Sequence, residues 1–449
     1  MKRARVCAAA FCVAAATAFP HTGAAAQHMG AAVPDTAAAM DPGHAMWRVE
    51  LGDGWHALGM AQAFPIVTVG APGEDGSPLR ETEAYLTQAA LMADVASRGA
   101  HWVLRTTLNF EGPTQEDGEL TYGGWGEGFI DRRHPHTLLH ELVLSYNVWR
   151  AGGGVSLSAG KGFAPYGTDD PMVRPGLKYP TNHHLSQILE RWLVAGAFLR
   201  GGFSIEASTF GGAEPEGPYD FDNIDSFADS WSARLAQRWG NAGSDRPRWE
   251  ASASFASVEE EGERTRLWNV ALRHDGALSG APVYGLIEGS ISDPEEGSGE
   301  FSVLVETQAN LGRHRPYARV EHARRPEFPR AGGPAEDGFF RYEHHDEPIG
   351  ATRWWIASVG YGLDATSLPA SIRPFVEAQY HSVRADRGGI DPEELFGTRS
   401  FWGVSFGARM FFGGGPMRMG SYGVLDPMVA GHGGSDPMRP MGGAMEGSG

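Results

Sequence analysis

"SFWGVSFGARMFF", residues 400–412, is the stretch that decides how this chain folds. From Trp402 on, every second residue is apolar or small (Trp402, Val404, Phe406, Ala408, Met410, Phe412), while Gly403, Ser405, Gly407 and Arg409 fill the alternate positions. Period two is that of a β-strand, and the contrast between its two sets of side chains means that its faces meet different surroundings. The stretch closes on an aromatic residue and is followed by a Gly/Met-rich segment, residues 413–449.

The alternation recurs upstream. In "FSVLVETQANL", residues 301–311, Phe301, Val303, Val305, Thr307 and Ala309 oppose Ser302, Leu304, Glu306, Gln308 and Asn310. Strands of this kind are predicted near 54–70, 83–97, 101–110, 136–150, 155–163, 186–200, 203–210, 227–239, 249–258, 265–274, 282–292, 301–311, 315–325, 351–363, 371–384 and 401–412. Short connections such as "SRGAH", "LRGGF" and "LGRHR" alternate with long ones (111–135, 164–185, 211–226, 326–350, 385–400), and the acidic residues gather in the long ones. Tight turns on one side and long loops on the other are the pattern of a transmembrane barrel. A soluble sandwich would also alternate, but Trp102, Trp149, Trp192, Trp231, Trp239, Trp249, Trp268, Trp355 and Trp402 cluster near strand ends, as aromatic girdles do at a membrane interface. The expected fold is therefore an all-β, antiparallel transmembrane barrel of about sixteen strands, or fourteen, with a disordered N-terminal segment and C-terminal tail.

Composition bounds the function. "MKRAR" followed by "VCAAAFCVAAATAF" and Ala24-Ala25-Ala26 reads as an export leader over residues 1–26. Cys7 and Cys12, the two cysteines of the chain, both lie within it, which excludes thiolate chemistry and disulfides from the mature protein. Residues 27–46 then form a flexible Met/His-bearing segment, 47–412 the barrel and 413–449 the tail. A formal charge of −18, made more negative by loss of Lys2, Arg3 and Arg5, argues against nucleic acid as a partner. No apolar run approaches the ~20 residues of a spanning helix, so insertion has to use strands. The location implied is the bacterial outer membrane, with lipid and lipopolysaccharide outside the barrel and both termini on the periplasmic side.

Lumen-facing charges of mixed sign are predicted at Arg105, Glu141, Arg234, Glu306, Arg373, Glu377 and Arg409. Such residues set ion selectivity in an open pore or neutralise one another in a filled one. A ring of about sixteen strands is too wide for wall side chains alone to fill, so a water-filled lumen is expected unless long loops fold inward.

A second group of residues has ligand chemistry. His134 and His136, with His140 beside them in "DRRHPHTLLHE", His183 and His184 in "NHH", and His344 and His345 in "YEHHDE" all lie at or near the long-loop side. Neutral imidazoles on one rim suit Zn(II) or Cu(II), although the same groups also serve to pin loops to one another. Met417, Met419, Met438 and Met441, set among Gly, Pro and His, could hold Cu(I), or they could be incidental to a low-complexity tail. No nucleophile sits with a base at a readable spacing, so the expectation is no enzyme, no catalytic residues and no certain cofactor.

The segment Asp131-Arg132-Arg133-His134-Pro135-His136, with "NHH" at 182–184 and "EPEGPYDFDNIDSFADSWSARL" at 214–235, resembles a family of bacterial outer-membrane barrels that carry an Asp-Arg-x-His-Pro-His segment. A weaker likeness is to CopB-type copper-resistance outer-membrane proteins, in which a Met/His-rich segment precedes a barrel. The expected function is a porin-like channel for small solutes or ions with acidic, His-bearing external loops. The alternative is a copper-type metal-binding protein that uses its Met/His-rich termini. The oligomeric state is left open.

Overall fold

The computed structural model describes residues 47–71, 81–110, 137–168, 173–180, 183, 185–215, 219–221, 224, 227–240, 248–260, 262–278, 281–295, 299–327, 350–365, 371–386, 391–396, 398–413 and 418–431. Its strands are β1 (Trp47–Gly52), β2 (Trp55–Ala71), β3 (Glu81–Ala96), β4 (Trp102–Asn109), β5 (Leu139–Arg150), β6 (Gly153–Ala164), β7 (Ile188–Arg200), β8 (Phe203–Phe210) and β9 (Ser230–Trp239). The second half contains β10 (Arg248–Glu260), β11 (Glu263–Leu278), β12 (Ala281–Pro294), β13 (Glu300–Ala309), β14 (His314–Glu327), β15 (Gly350–Leu363), β16 (Ser371–Ala385) and β17 (Ser400–Phe412). From β2 to β17 each strand pairs antiparallel with the next, and β17 closes on β2 with Phe412 opposite Ala61 and Phe406 opposite Val67. The ring has sixteen strands and no free edge, so backbone pairing runs around the full circle without an open strand.

The sixteen expected strands are all present, their ends within about four residues of the sequence reading, the margin such boundaries carry. The extra element is β1, which pairs with the first residues of β2 (Trp47 opposite Gly59) and so continues the line of β17 along the same edge. Its sequence alternates Trp47, Val49 and Leu51 with Arg48, Glu50 and Gly52, yet all six residues are exposed, so it has no buried face.

The opening stretch behaves as its alternation predicts. Trp402 and Phe406 point outward at 59% and 52% exposure, whereas Ser405 and Arg409 point inward and are buried. Val303 and Val305, Leu144 and Tyr146, Trp268 and Trp355 continue the exposed apolar surface around the ring. Such a belt on a closed barrel is stable only against lipid. The protein is an outer-membrane β-barrel.

Candidate functional site

The lumen is filled. The expectation of a water-filled interior fails at the described wall: Glu141, Glu288, Glu306, Glu377, Arg319 and Arg409 are each 0–1% exposed. Among the described residues, two segments occupy the space, one from each rim, and the charged residues of the wall receive them.

The first is the connection from β6 to β7, which turns into the barrel at Pro165 rather than standing above it. Its neck is closed by the Tyr166 hydroxyl donating to the Leu185 carbonyl at 3.2 Å. From there it crosses to the far wall: the Gly167 N–H donates to Ser254 Oγ (2.8 Å) and Thr168 Oγ1 to Glu288 Oε1 (2.8 Å). Arg174 donates to Glu288 Oε2 at 2.8 Å and lies 3.9 Å from Glu306. Burial alone would lower the Arg174 pKa, but Glu288 and Glu306 outweigh it and hold the guanidinium above its ordinary range. The Leu177 N–H donates to Glu377 Oε2 (2.9 Å), and Arg319 donates to the Lys178 carbonyl (2.9 Å). The Leu177 side chain packs with Ile66, Tyr317 and Phe375. Gly407 leaves the room it needs, since a Cβ there would stand 2.9 Å from a Leu177 methyl.

The second is the tail. Its described part is residues 418–431, and the two Nη atoms of Arg418 grip Glu250 at 2.7 and 2.9 Å beside Arg238. Met419 and Met428 join Met60, Met92, Leu58, Val143, Phe163 and Tyr422 in one apolar cluster. The Tyr422 hydroxyl accepts from the Phe163 N–H (2.8 Å) and donates to Glu141 Oε1 (2.8 Å), while Thr107 donates to the other oxygen of Glu141 at 2.5 Å. Val424 and Leu425 pack on Leu199 and Trp149. Asp426 is bonded by Arg105, which also holds Asp94 at 3.2 and 3.3 Å, and Val429 ends against Ala96, Ala100 and Val103.

Arg234 joins the two. It forks onto Glu206 at 2.7 and 2.9 Å, donates to the Thr168 carbonyl of the loop (3.2 Å), and donates to Gly420 O and Ser421 Oγ of the tail (2.8 and 2.7 Å). One guanidinium thus bonds wall, loop and tail together.

The seven predicted lumen residues sort by which segment they meet. Arg105, Glu141 and Arg234 hold the tail; Glu377 holds the loop directly, and Glu306 faces Arg174 while accepting from Tyr284 at 2.7 Å. Arg409 has its guanidinium over Phe64 and Phe411, 4.8 and 5.5 Å from the ring centroids. Arg373 sits opposite Arg409 across the ladder and bonds Asp364 at the turn-side rim (2.6 Å). Sequence reasoning missed Asp94, Glu206, Glu288 and Arg319. A signal was present: Asp94 lies opposite Arg105, Glu206 opposite Arg234 and Glu306 opposite Arg319, so opposite charges on inward positions of neighbouring strands mark register.

Of the predicted metal ligands, His183 is buried in the inward loop with its ring stacked on Tyr179 at 4.7 Å, and Met419 is in the apolar cluster above. His134, His136, His184, His344, His345, Met417, Met438 and Met441 lie outside the described residues, as does the whole Asp131–His136 segment. Among the described residues, no group of three or more His, Cys, Asp or Glu is placed to hold a metal. His140, next to that segment, instead bonds Glu190 at 2.5 Å, and Glu190 also accepts from the Thr137 N–H at 3.0 and 3.1 Å. This is loop pinning rather than an assembled metal centre.

No protein-family model matches the chain, and neither does any curated protein. Solved structures to which it is similar include outer-membrane-expressed OmpT of Vibrio cholerae (10% identity, TM-score 0.47, covering 81% of this chain and 100% of that one). The anion-selective porin from Comamonas acidovorans matches at 13% identity and TM-score 0.45, over 80% of this chain and 100% of that one. The outer membrane channel DcaP of Acinetobacter baumannii matches at 10% identity and TM-score 0.45, over 82% and 100%.

Proposed function

We propose that this barrel is a porin-like channel for small polar solutes or ions, and that its selective zone is the charged belt where the inward loop meets the wall. The observation that carries the reading is the loop from β6 to β7, which crosses the lumen and sets Arg174 among Glu288 and Glu306, next to Arg319 and Glu377. Fixed charges of both signs at one level favour small ions and zwitterions over apolar molecules, because an apolar solute would have to desolvate them without replacing their partners. The acidic long loops add a field at the outer mouth that concentrates cations.

The test is planar-bilayer recording of the refolded protein in a potassium chloride gradient. Discrete steps with a reversal potential displaced toward potassium are expected. Glu288→Gln and Glu306→Gln should move that potential toward neutrality. Ohmic steps whose selectivity ignores both substitutions would put the selective zone elsewhere.

A further inference from the structure

The tail makes a return trip. Arg418 meets Glu250 close to the turn-side end of β10, Gly420 and Ser421 meet Arg234 further up β9, and Tyr422 is the apex, at Glu141 and at Phe163 near the far end of β6. It then descends: the Val424 N–H donates to Ser156 Oγ (3.2 Å), Asp426 meets Arg105, and Val429 packs on Ala100 in the turn between β3 and β4. It enters and leaves by the same mouth.

The wall has a place for it. Gly154, Ser156, Ser158 and Gly162 make one edge of β6 small, and the tail lies along them. A Cβ on Gly162 would stand 2.2 Å from the Tyr422 hydroxyl, and one on Gly154 would stand 2.9 Å from a Val424 methyl. Gly423 takes a left-handed φ of +65° at the apex, with its Cα so near Ser156 that a Cβ would be 2.1 Å from Ser156 Oγ. Shape, five charged or hydrogen-bonded anchor points and an apolar cluster with two tail methionines all match the segment to this groove.

We propose that residues 418–431 are a self-plug, an intramolecular occupant of the lumen that reaches up from the turn-side mouth and whose withdrawal opens the channel. The proposal rests on the channel reading and adds its regulation. Because the segment forms a U and contributes no rung to the barrel ladder, it can leave without breaking a strand pair. Its departure also releases two bonds from Arg234 and one from the Phe163 N–H, so the inward loop loses part of its support at the same moment. Methionine suits a contact that must seal and still release, since its unbranched thioether packs without a demanding shape.

The experiment compares three proteins in planar bilayers of potassium chloride: the full chain, a chain lacking 413–449, and Asp426→Arg, which sets a second guanidinium against Arg105. Heat-modifiable electrophoretic migration verifies that each is a closed barrel. The deleted chain and Asp426→Arg are expected to conduct several-fold more than the full chain. Equal conductance in all three would overturn the plug and leave the channel reading standing. Silence in all three folded barrels would overturn both.

Discussion

The inward loop and the tail fill one lumen by different means. The loop is tied at both ends to strands, β6 and β7, and its contacts on the far wall are to carboxylates and arginines of β12 to β16: Glu288, Glu306, Arg319 and Glu377. The tail is tied to the barrel through β17 and reaches charges of β4, β5, β9 and β10 through Asp426, Tyr422, Gly420 and Arg418. Both are buried, yet only the tail can leave while the ring stays intact. The lesson is that a buried charge on a barrel wall is an address for an incoming segment as well as a feature of a pore. Its companion on the next strand neutralises it, and the remaining donors or acceptors meet whatever the lumen holds.

The largest effect should come from removing an arginine shared by wall and filler. Arg105→Ala leaves Asp94 and Asp426 buried without their cation, a loss of about 3–5 kcal/mol. It should be read as a lower temperature for the migration shift of the folded barrel. In the tail-deleted chain this cost should shrink, because Asp426 is gone, whereas Arg319→Ala on the loop side should cost the same with or without the tail. Equal costs for Arg105→Ala in both backgrounds would erase the distinction between the two fillers.

Steric tests come next. Gly162→Leu overpacks the seat of Tyr422, whereas Gly407→Leu presses on both the Pro65 carbonyl of β2 (2.6 Å from a Cβ) and Leu177 (2.9 Å), each at about 1–3 kcal/mol where the neighbour cannot move aside. The tail can move aside, so Gly162→Leu should expose residues 418–431 to limited proteolysis with little loss of barrel stability. Gly407→Leu should instead lower stability. A smaller change is Tyr422→Phe, which removes the hydroxyl between Phe163 N–H and Glu141 and should weaken tail docking by about 1 kcal/mol, seen as faster proteolysis of the tail.

The smallest effect belongs to a pair outside both fillers. Arg399 hydrogen-bonds Asp391 and, with the Glu393 N–H, holds that exposed carboxyl below its ordinary pKa of 3.8. A depressed folded pKa means that the contribution is present above about pH 4 and fades as the pH falls through the folded value. Protection of the 391–399 amides, taken relative to the intrinsic exchange rate at each pH, should fall on acidification below that point while that of the tail and loop amides holds. Loss of tail protection over the same range would mean that an external loop and the plug are coupled.

The strands were legible because a membrane barrel writes its two environments into a period of two: Trp402 and Phe406 against Ser405 and Arg409, Val303 and Val305 against Ser302 and Glu306. The inward charges were legible for the same reason, and Arg105, Glu141 and Arg234 fell on the right face. The tail was not. Its Gly, Pro and Met residues have no period, and its burial comes from a fit to β6 that no local pattern records. Six-residue β1 carries the alternation too, Trp47, Val49 and Leu51 against Arg48, Glu50 and Gly52, but it is short and is not among the strands predicted from the sequence.

By itself, then, the chain determined a closed barrel of sixteen strands, the side of each strand that faces lipid and the presence of charges within, since those follow from side-chain alternation between neighbours a few ångströms apart. Only the tertiary structure decided that the interior is occupied and by what. Arg105 meets Asp426 across 321 positions, Glu141 meets Tyr422 across 281, and Glu377 meets Leu177 across 200. Contacts of that separation depend on the ring first closing and enclosing a groove of the right shape, which is a property of the barrel's curvature and not of any one stretch within it.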